Sequence, residues 1–190
     1  LSRVIYASSD RVPGDVELHY EALADPQWRG RICMRSGKHV YNISLIASML
    51  AHHGEAKTEA WLRALKANLA RKPQGNDRAQ AKAIYQGQCD LGIGNSYYYG
   101  KMASNEKKPE QKAWAKSIRV IFPNQDGRGA HMNVSGAGVL QSSKNKALAI
   151  RLIEFLASPE AQAMYAQQNF EYPVITGVAA DPITAALGTF

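Results

Sequence analysis

The chain has 190 residues, of which 45% are hydrophobic and 21% are charged, a balance typical of a globular protein rather than a disordered one. Its formal net charge is +7, yet no run of Lys and Arg is longer than two residues. Without a recognition-helix pattern or zinc-finger spacing, nucleic-acid binding is disfavoured, and the charge favours an ordinary basic surface or an anionic ligand. No apolar stretch approaches the roughly 20 residues that span a bilayer, so we expect no direct membrane insertion.

Strand and helix patterns alternate through the first two thirds of the chain, which predicts an α/β sheet. The predicted elements, in chain order, are strands at 4–7 and 31–34, helices at 42–53 and from Thr58, a helix at 78–86, a strand at 90–94, a helix at 111–116, strands at 118–122 and 131–134, and helices at 145–157 and 159–168. Gly54 is expected to end the first helix, Asn76 to cap the third, and Ser158 with Pro159 to begin the last. Residues 172–190 carry Pro and Gly punctuation and are expected to be weakly structured.

Three consecutive tyrosines, Tyr97, Tyr98 and Tyr99, follow a short apolar run that indicates a buried strand. The residues between them, Gly94 to Ser96, are typical of the turn that leaves such a strand. Ligands of open α/β sheets bind beyond the carboxyl ends of strands, so these phenols are expected where a ligand would lie. A phenol is usually a packing residue. A deprotonated phenol, however, is a hard anionic oxygen that suits hard cations such as ferric iron.

Other chemical motifs are weak. The chain has no H-E-x-x-H, no G-x-S-x-G, no nucleotide-binding glycine motif and no pair of carboxylates in a shared apolar setting, so we predict that it is not an enzyme. Cys33 and Cys89 form neither a CxxC motif nor a zinc set, and each precedes a tyrosine, Tyr41 or Tyr97, by the same interval. Two alternatives remain open for them, which are buried free thiols or, if their strands are neighbours, a disulfide.

Several motifs occur in a fixed order along the chain: Arg-Ile-Cys-Met-Arg-Ser at 31–36, Tyr-Asn at 41–42, Pro-Gln-Gly-Asn-Asp at 73–77, Cys-Asp-Leu-Gly-Ile-Gly-Asn-Ser-Tyr-Tyr-Tyr at 89–99, Phe-Pro-Asn-Gln-Asp-Gly-Arg-Gly at 122–129 and Ser-Gly-Ala-Gly at 135–138. In this order they resemble the periplasmic ferric-ion-binding proteins, the receptors of bacterial iron(III) ABC importers, over essentially the whole chain. The tyrosine block and the 122–129 loop are the most specific parts of the resemblance.

The resemblance implies an α/β fold of the periplasmic-binding-protein type (type II, Venus flytrap), with iron held between two lobes. It implies that this chain is mainly the C-terminal lobe and lacks an N-terminal portion that carries further ligands. The expected division is a lobe at 1–126 with the tyrosines, a crossover segment at 127–178 whose helices belong to the other lobe, and a return tail at 179–190. The apolar helix at 145–157 is then expected to expose a patch or to pair with the missing portion.

The function that the resemblance implies is transport. Tyr41, Tyr97 and Tyr98 would bind Fe(III) together with carbonate or another small anion, and the protein would deliver the iron to an ABC transporter membrane permease from the periplasm. Arg35 and Arg128 are the candidate anion-binding residues, and Tyr99 is expected to be a packing neighbour.

Two further expectations follow the resemblance. An oxidising periplasm, with the matched offsets of Cys33 and Cys89 from the tyrosines, favours the disulfide over free thiols. The alternative functions are a receptor for a small organic or inorganic anion on the same fold, or a regulatory effector domain, for which no helix-turn-helix segment is visible in the sequence.

Overall fold

The computed structural model describes residues 1–16 and 18–188. Its strands are β1 (Arg3–Ser8), β2 (Ile32–Cys33), β3 (Leu91–Asn95) and β4 (Ile118–Ile121). They form one sheet in the order β2-β3-β1-β4, in which β1 is antiparallel to both β3 and β4 while β2 is parallel to β3. The predicted α/β sheet is therefore confirmed.

The predicted strand at 131–134 is wrong. Only Met132 makes a bridge there, opposite Ser2, and no ladder extends from it. Val134 beyond the bridge is 78% exposed, so a longer pairing would bury little apolar surface to offset the cost of ordering the backbone.

The described helices are α1 (Val40–Ala67), α2 (Asp77–Tyr85), α3 (Tyr97–Ala103), α4 (Glu110–Lys116), α5 (Lys146–Leu156), α6 (Pro159–Asn169) and α7 (Pro182–Ala185). Short 3-10 turns occupy Glu21–Ala24 and Pro26–Trp28. None of the helices in the described part of the chain has the length and apolar character needed to cross a bilayer.

Helix boundaries follow the capping residues that the sequence indicated. The Asn76 side chain accepts a hydrogen bond from the Ala79 amide at 3.1 Å at the start of α2, and Ser158 caps α6 in the same way. Gly54 ends the first helical segment of α1 as predicted, because its backbone is non-helical there, with a φ of 76° and a ψ of 173°. The second segment begins directly after Gly54 rather than at Thr58, and the two segments meet at a kink.

The sheet has an apolar layer on each face. Since successive β1 side chains point to opposite faces, Ile5 and Ala7 pack with α1, whereas Val4 and Tyr6 pack with α2, α3 and α4. Gly94 of β3 makes this possible: a Cβ there would lie 2.3 Å from the Tyr6 ring. Helices α2, α3 and α4 therefore pack on one face of the sheet, and α1 packs on the other.

Cys33 and Cys89 form the predicted disulfide, which joins the end of β2 to the turn before β3 with their Cα atoms 5.9 Å apart. Their sequence separation is 56 residues. Constraining a loop of that length in the unfolded chain stabilises the fold by about 4 kcal/mol in the chain-entropy model.

The last third of the chain packs unevenly. α5 contributes no buried residue, and its apolar side chains are exposed: Leu148, Ile150, Leu152 and Phe155. By contrast, Phe170 at the end of α6 packs on α3, where a Cβ on Gly100 would lie 2.4 Å from its ring. The division at 1–126, 127–178 and 179–190 stays a prediction, and the tail's last residues, Thr189 and Phe190, lie outside the described residues.

Candidate metal centre

Two of the candidate ligands sit at the point where β3 becomes α3. β3 ends at Asn95 and α3 begins at Tyr97, with Ser96 already in helical conformation (φ −53°, ψ −42°). In a continued strand, Tyr97 and Tyr98 would point to opposite faces. Because the chain turns into a helix there, their rings lie together instead, with centroids 4.2 Å apart.

The third candidate, Tyr41, lies in the first turn of α1. The Nδ1 atom of His39, the N-cap residue, accepts a hydrogen bond from the Tyr41 amide at 3.2 Å, and the two rings meet edge to face at 4.6 Å. His39 is therefore not only a loop residue but the group that orients the turn carrying Tyr41.

The three phenols meet at one place. The pKa of Tyr97 is raised well above its ordinary value by burial and by hydrogen bonding with the side chains of Tyr98 and Tyr41. Each of the three is partly exposed, so the cluster opens to solvent on one side. Tyr99 is different, since it packs against the core cluster that includes Met102. The structure thus places the three tyrosines singled out as ligands near one another, whereas Tyr99 packs against the core.

Four cationic side chains surround these rings at 4.8–5.8 Å from a ring centroid: Arg3 and Arg35 over Tyr41, Arg78 over Tyr98, and Lys101 over Tyr97. Positive charge next to a phenol favours its phenolate form and attracts small anions. Of these four, the sequence singled out only Arg35. Lys101 had a local signal, because it lies four residues after Tyr97 on one helix.

A buried polar network lies beneath the phenols. Arg3, which is 0% exposed, donates from Nη1 to Asp77 Oδ2 and Asn95 Oδ1, both at 2.9 Å, and from Nη2 to Asn42 Oδ1 at 2.6 Å. Arg35 Nη1 donates to the other Asp77 oxygen at 2.8 Å. The pairing of Arg3 with Asp77 could not be predicted from the sequence, because the two residues are 74 positions apart and the 73–77 motif that contains Asp77 does not indicate its partner.

Arg128 has other partners. Its guanidinium donates to Glu21 Oε1 at 2.6 Å and lies 3.0 Å from His53 Nε2, beside an open surface pocket of about 600 Å³. Burial opposes ionisation of Glu21, but hydrogen bonds from Asn124, His53 and Arg128 hold its pKa at about 2. None of the contacts described for Arg128 reaches the three phenols, and its assignment as an anion-binding residue stays a prediction.

The site's donors are phenols rather than the commoner metal ligands. Within residues 1–16 and 18–188, no group of three or more His, Cys, Asp and Glu side chains is arranged to hold a metal ion. Hard oxygen donors select hard cations, and three adjacent phenols next to four cations would carry such an ion together with an anion.

Residues 4–186 match a family model described as "Bacterial extracellular solute-binding protein". Two curated relatives come from Synechocystis sp. (strain ATCC 27184 / PCC 6803 / Kazusa). Iron uptake protein A2 is 50% identical over 190 residues and iron uptake protein A1 is 46% identical over 189 residues, covering 98% and 100% of this chain. The chain spans about half the length of these relatives, 54% and 52%.

Solved structures of ferric-binding proteins are also similar to nearly the whole of this chain. The apo ferric ion-binding protein A of Pasteurella haemolytica is 50% identical with a TM-score of 0.92, covering 99% of this chain and 58% of that chain. A Trichodesmium protein (IdiA, FutA) solved with iron and citrate ligands is 42% identical with a TM-score of 0.95, covering 99% and 59%. The fold predicted from the resemblance, the type II periplasmic-binding-protein fold, is confirmed for the part that the chain spans.

Proposed function

Because this chain belongs to the family of bacterial extracellular solute-binding proteins, we propose that it binds ferric iron through the phenolates of Tyr41, Tyr97 and Tyr98 and delivers it to an ABC importer. The observations that support this most strongly lie at the carboxyl end of β3: the Tyr97 and Tyr98 rings are 4.2 Å apart, and both Tyr98 and Tyr41 are close enough to Tyr97 to raise its pKa. The names of relatives, among them a Serratia marcescens Fe(3+)-binding periplasmic protein at 31% identity, support the same ion and a periplasmic location.

Charge balance makes the site suitable for Fe(III). Three phenolates neutralise the three positive charges of the ion. A free phenol has a pKa of about 10, so each ligand must lose a proton when iron binds, and binding weakens in acid. In the metal-free site the Tyr97 pKa is raised further, first by burial and then by its two phenol neighbours, so iron must displace a firmly held proton there.

A small anion completes the proposed coordination. Three phenolates leave coordination positions open to water, carbonate or a carboxylate. Arg35 lies beside the Tyr41 ring, and this position supports an anion there. Its bond to Asp77 uses only the Nη1 atom of the guanidinium. For Arg128, which is held by Glu21 and His53, the proposal rests on the resemblance alone.

We propose that the exposed apolar surface of α5 packs against the part of the fold that this chain does not span. Relatives are nearly twice as long as this chain, and α5 presents apolar side chains that no described residue covers. We propose that the 127–178 segment packs with the missing N-terminal portion, that closure of the two lobes buries the iron, and that the membrane permease is the receiving partner. No catalytic step and no nucleic acid enter this function.

A receptor for a small organic or inorganic anion is the second candidate, and the four cations around the phenols favour it. Titration with a ferric chelate separates the two. Iron bound by phenolates gives a visible charge-transfer band, whereas an anion receptor stays colourless. We expect a band in the wild type and in Tyr99→Phe, and none in the Tyr97→Phe/Tyr98→Phe double variant. A colourless wild type that binds the anion alone would favour the second candidate.

A further inference from the structure

The candidate ligands come from two chain segments that the sheet alone does not hold together. Tyr97 and Tyr98 continue β3, whereas Tyr41 follows β2, which is only two residues long. The pairing of β2 with β3 consists of Ile32 with Leu91 and Cys33 with Gly92, and it ends well before either tyrosine turn. Something other than strand register must therefore set the distance between the turns.

The buried network makes this connection through Asp77. One carboxylate oxygen accepts from Arg35, which precedes the Tyr41 turn. The other accepts from the backbone amide of Asn95, two residues before Tyr97, at 2.9 Å. Asp77 is thus bonded to both segments at once, and it is fixed in the first turn of α2, where the helix dipole favours a carboxylate.

Arg3 makes a second connection through the same carboxylate. Its guanidinium bonds Asp77, the Asn95 side chain and the Asn42 side chain. The Asn42 amide in turn donates to the backbone carbonyls of Arg35 and Ser36, which fixes the loop that enters α1. Every arm of the network therefore ends on one of the two segments that carry phenols.

The energetics point to position rather than to stability. The side chains of Arg3 and Asp77 are both 0% exposed. Burying such a pair costs desolvation that apolar residues of similar volume would avoid, so a buried ion pair is weak evidence for a stabilising role. Arg3 lies 5.8 Å from the Tyr41 ring centroid, and the pair bonds both ligand-bearing segments, so fixing their geometry accounts for that cost.

We propose that Asp77 is the positioning residue of the site: bonded to Arg3, Arg35 and the Asn95 amide, its carboxylate sets the distance from the Tyr41 turn to the Tyr97–Tyr98 turn. The three phenols are then already together before iron arrives, and little order has to be imposed on binding. This inference rests on the proposed ferric site for its iron readout, and on the metal-free structure alone for its second readout.

The chain offers a matched control. Asp90, at the other end of β3, also joins two arginines, Arg11 at 2.5 Å and Arg31 at 2.6 Å, but has no contact with the phenols. Asp77→Asn and Asp90→Asn remove the same charge from the same kind of cluster. Only Asp77→Asn should change the relative positions of the phenols.

The iron readout is a double-variant cycle on the full chain, titrated with a ferric chelate. Asp77→Asn should lower Fe(III) affinity about 10–100-fold and weaken the phenolate band, as loss of groups behind metal ligands does. In a Tyr41→Phe background the same change should have an effect of less than about twofold, because there is no longer a third phenol to position. Equal losses in both backgrounds, or an unchanged affinity in folded Asp77→Asn, would overturn the inference.

The metal-free readout is proton–proton contact between the Tyr41 turn and the Tyr97–Tyr98 turn, measured by NMR. We expect it in the wild type and in Asp90→Asn, and we expect its loss in Asp77→Asn. Should Asp77→Asn fail to fold, Asn42→Ala removes only the arm to the Tyr41 loop and should lose the same contact. Persistence of the contact in both folded variants refutes a positioning role. A wild type that keeps the contact but shows no iron band refutes the proposed function alone.

Discussion

The two ends of β3 carry the same chemistry in different surroundings. At each end an aspartate joins two arginines, Asp77 with Arg3 and Arg35, and Asp90 with Arg11 and Arg31. The Asp90 arginines are each 37% exposed, whereas Arg3 is fully buried. Two clusters of an aspartate with two arginines therefore differ in burial, and we propose that only the buried one, Asp77 with Arg3 and Arg35, positions the phenols.

The two ends of β3 should differ most in how much their aspartates contribute to the free energy of unfolding. Asp77→Asn leaves Arg3 buried without its countercharge and should cost about 3–5 kcal/mol of the free energy of unfolding, as breaking a buried pair does. Asp90→Asn should cost at most about 1 kcal/mol, since its partners reach solvent. Urea unfolding of both variants measures this, and equal losses would remove the distinction between the ends.

Removal of the disulfide tests whether the Asp90 end of β3 is independent of the phenol site at the other end. A Cys33→Ser/Cys89→Ser variant should lose about 4 kcal/mol of stability through greater freedom of the unfolded chain. Its iron band should be unchanged at temperatures where it stays folded, because none of the contacts described for either cysteine reaches Tyr41, Tyr97 or Tyr98. A loss of the band in the folded variant would show that the two ends are coupled.

The smallest expected effect is the pH dependence of the stability that the Asp90 cluster contributes. Burial opposes ionisation of Asp90, but hydrogen bonds from Arg11 and Arg31 hold its pKa below the ordinary value. A carboxylate with a lowered folded pKa stabilises the protein above its unfolded pKa of about 3.9 and loses that contribution as pH falls further. The stability gap between wild type and Asp90→Asn should therefore narrow below about pH 4, and a constant gap would contradict this.

Local patterns predicted much of this structure. The tyrosine block after an apolar run and the caps at Asn76 and Ser158 each carry their signal within a few residues, whereas the pairing of Cys33 with Cys89, 56 residues apart, was favoured by the family resemblance. The strand at 131–134 failed because strand formation depends on a partner, and only a single bridge to Ser2 is available.

The network under the site could not be found in the same way. The Arg3 contact with Asn95 spans 92 residues and that with Asn42 spans 39. Asn95 and Asn42 belong to the motifs at 89–99 and 41–42, but nothing in those motifs indicates that either side chain bonds Arg3. Asp77 reads locally as a first-turn carboxylate, which it also is. Its second role depends on the fold bringing two distant segments to one carboxylate, so only the structure reveals it.

The most direct test of the central claim is the visible band itself. Ferric chelate added to the wild-type chain should produce a phenolate-to-iron charge-transfer band, with protons released as it forms. Tyr97→Phe/Tyr98→Phe keeps both rings and the fold but removes two ligand oxygens, so the band should vanish and affinity should fall by more than about 100-fold. Tyr99→Phe, the matched control, should leave both unchanged. Equal iron binding by the wild type and the double variant would contradict a ferric site built on these phenols.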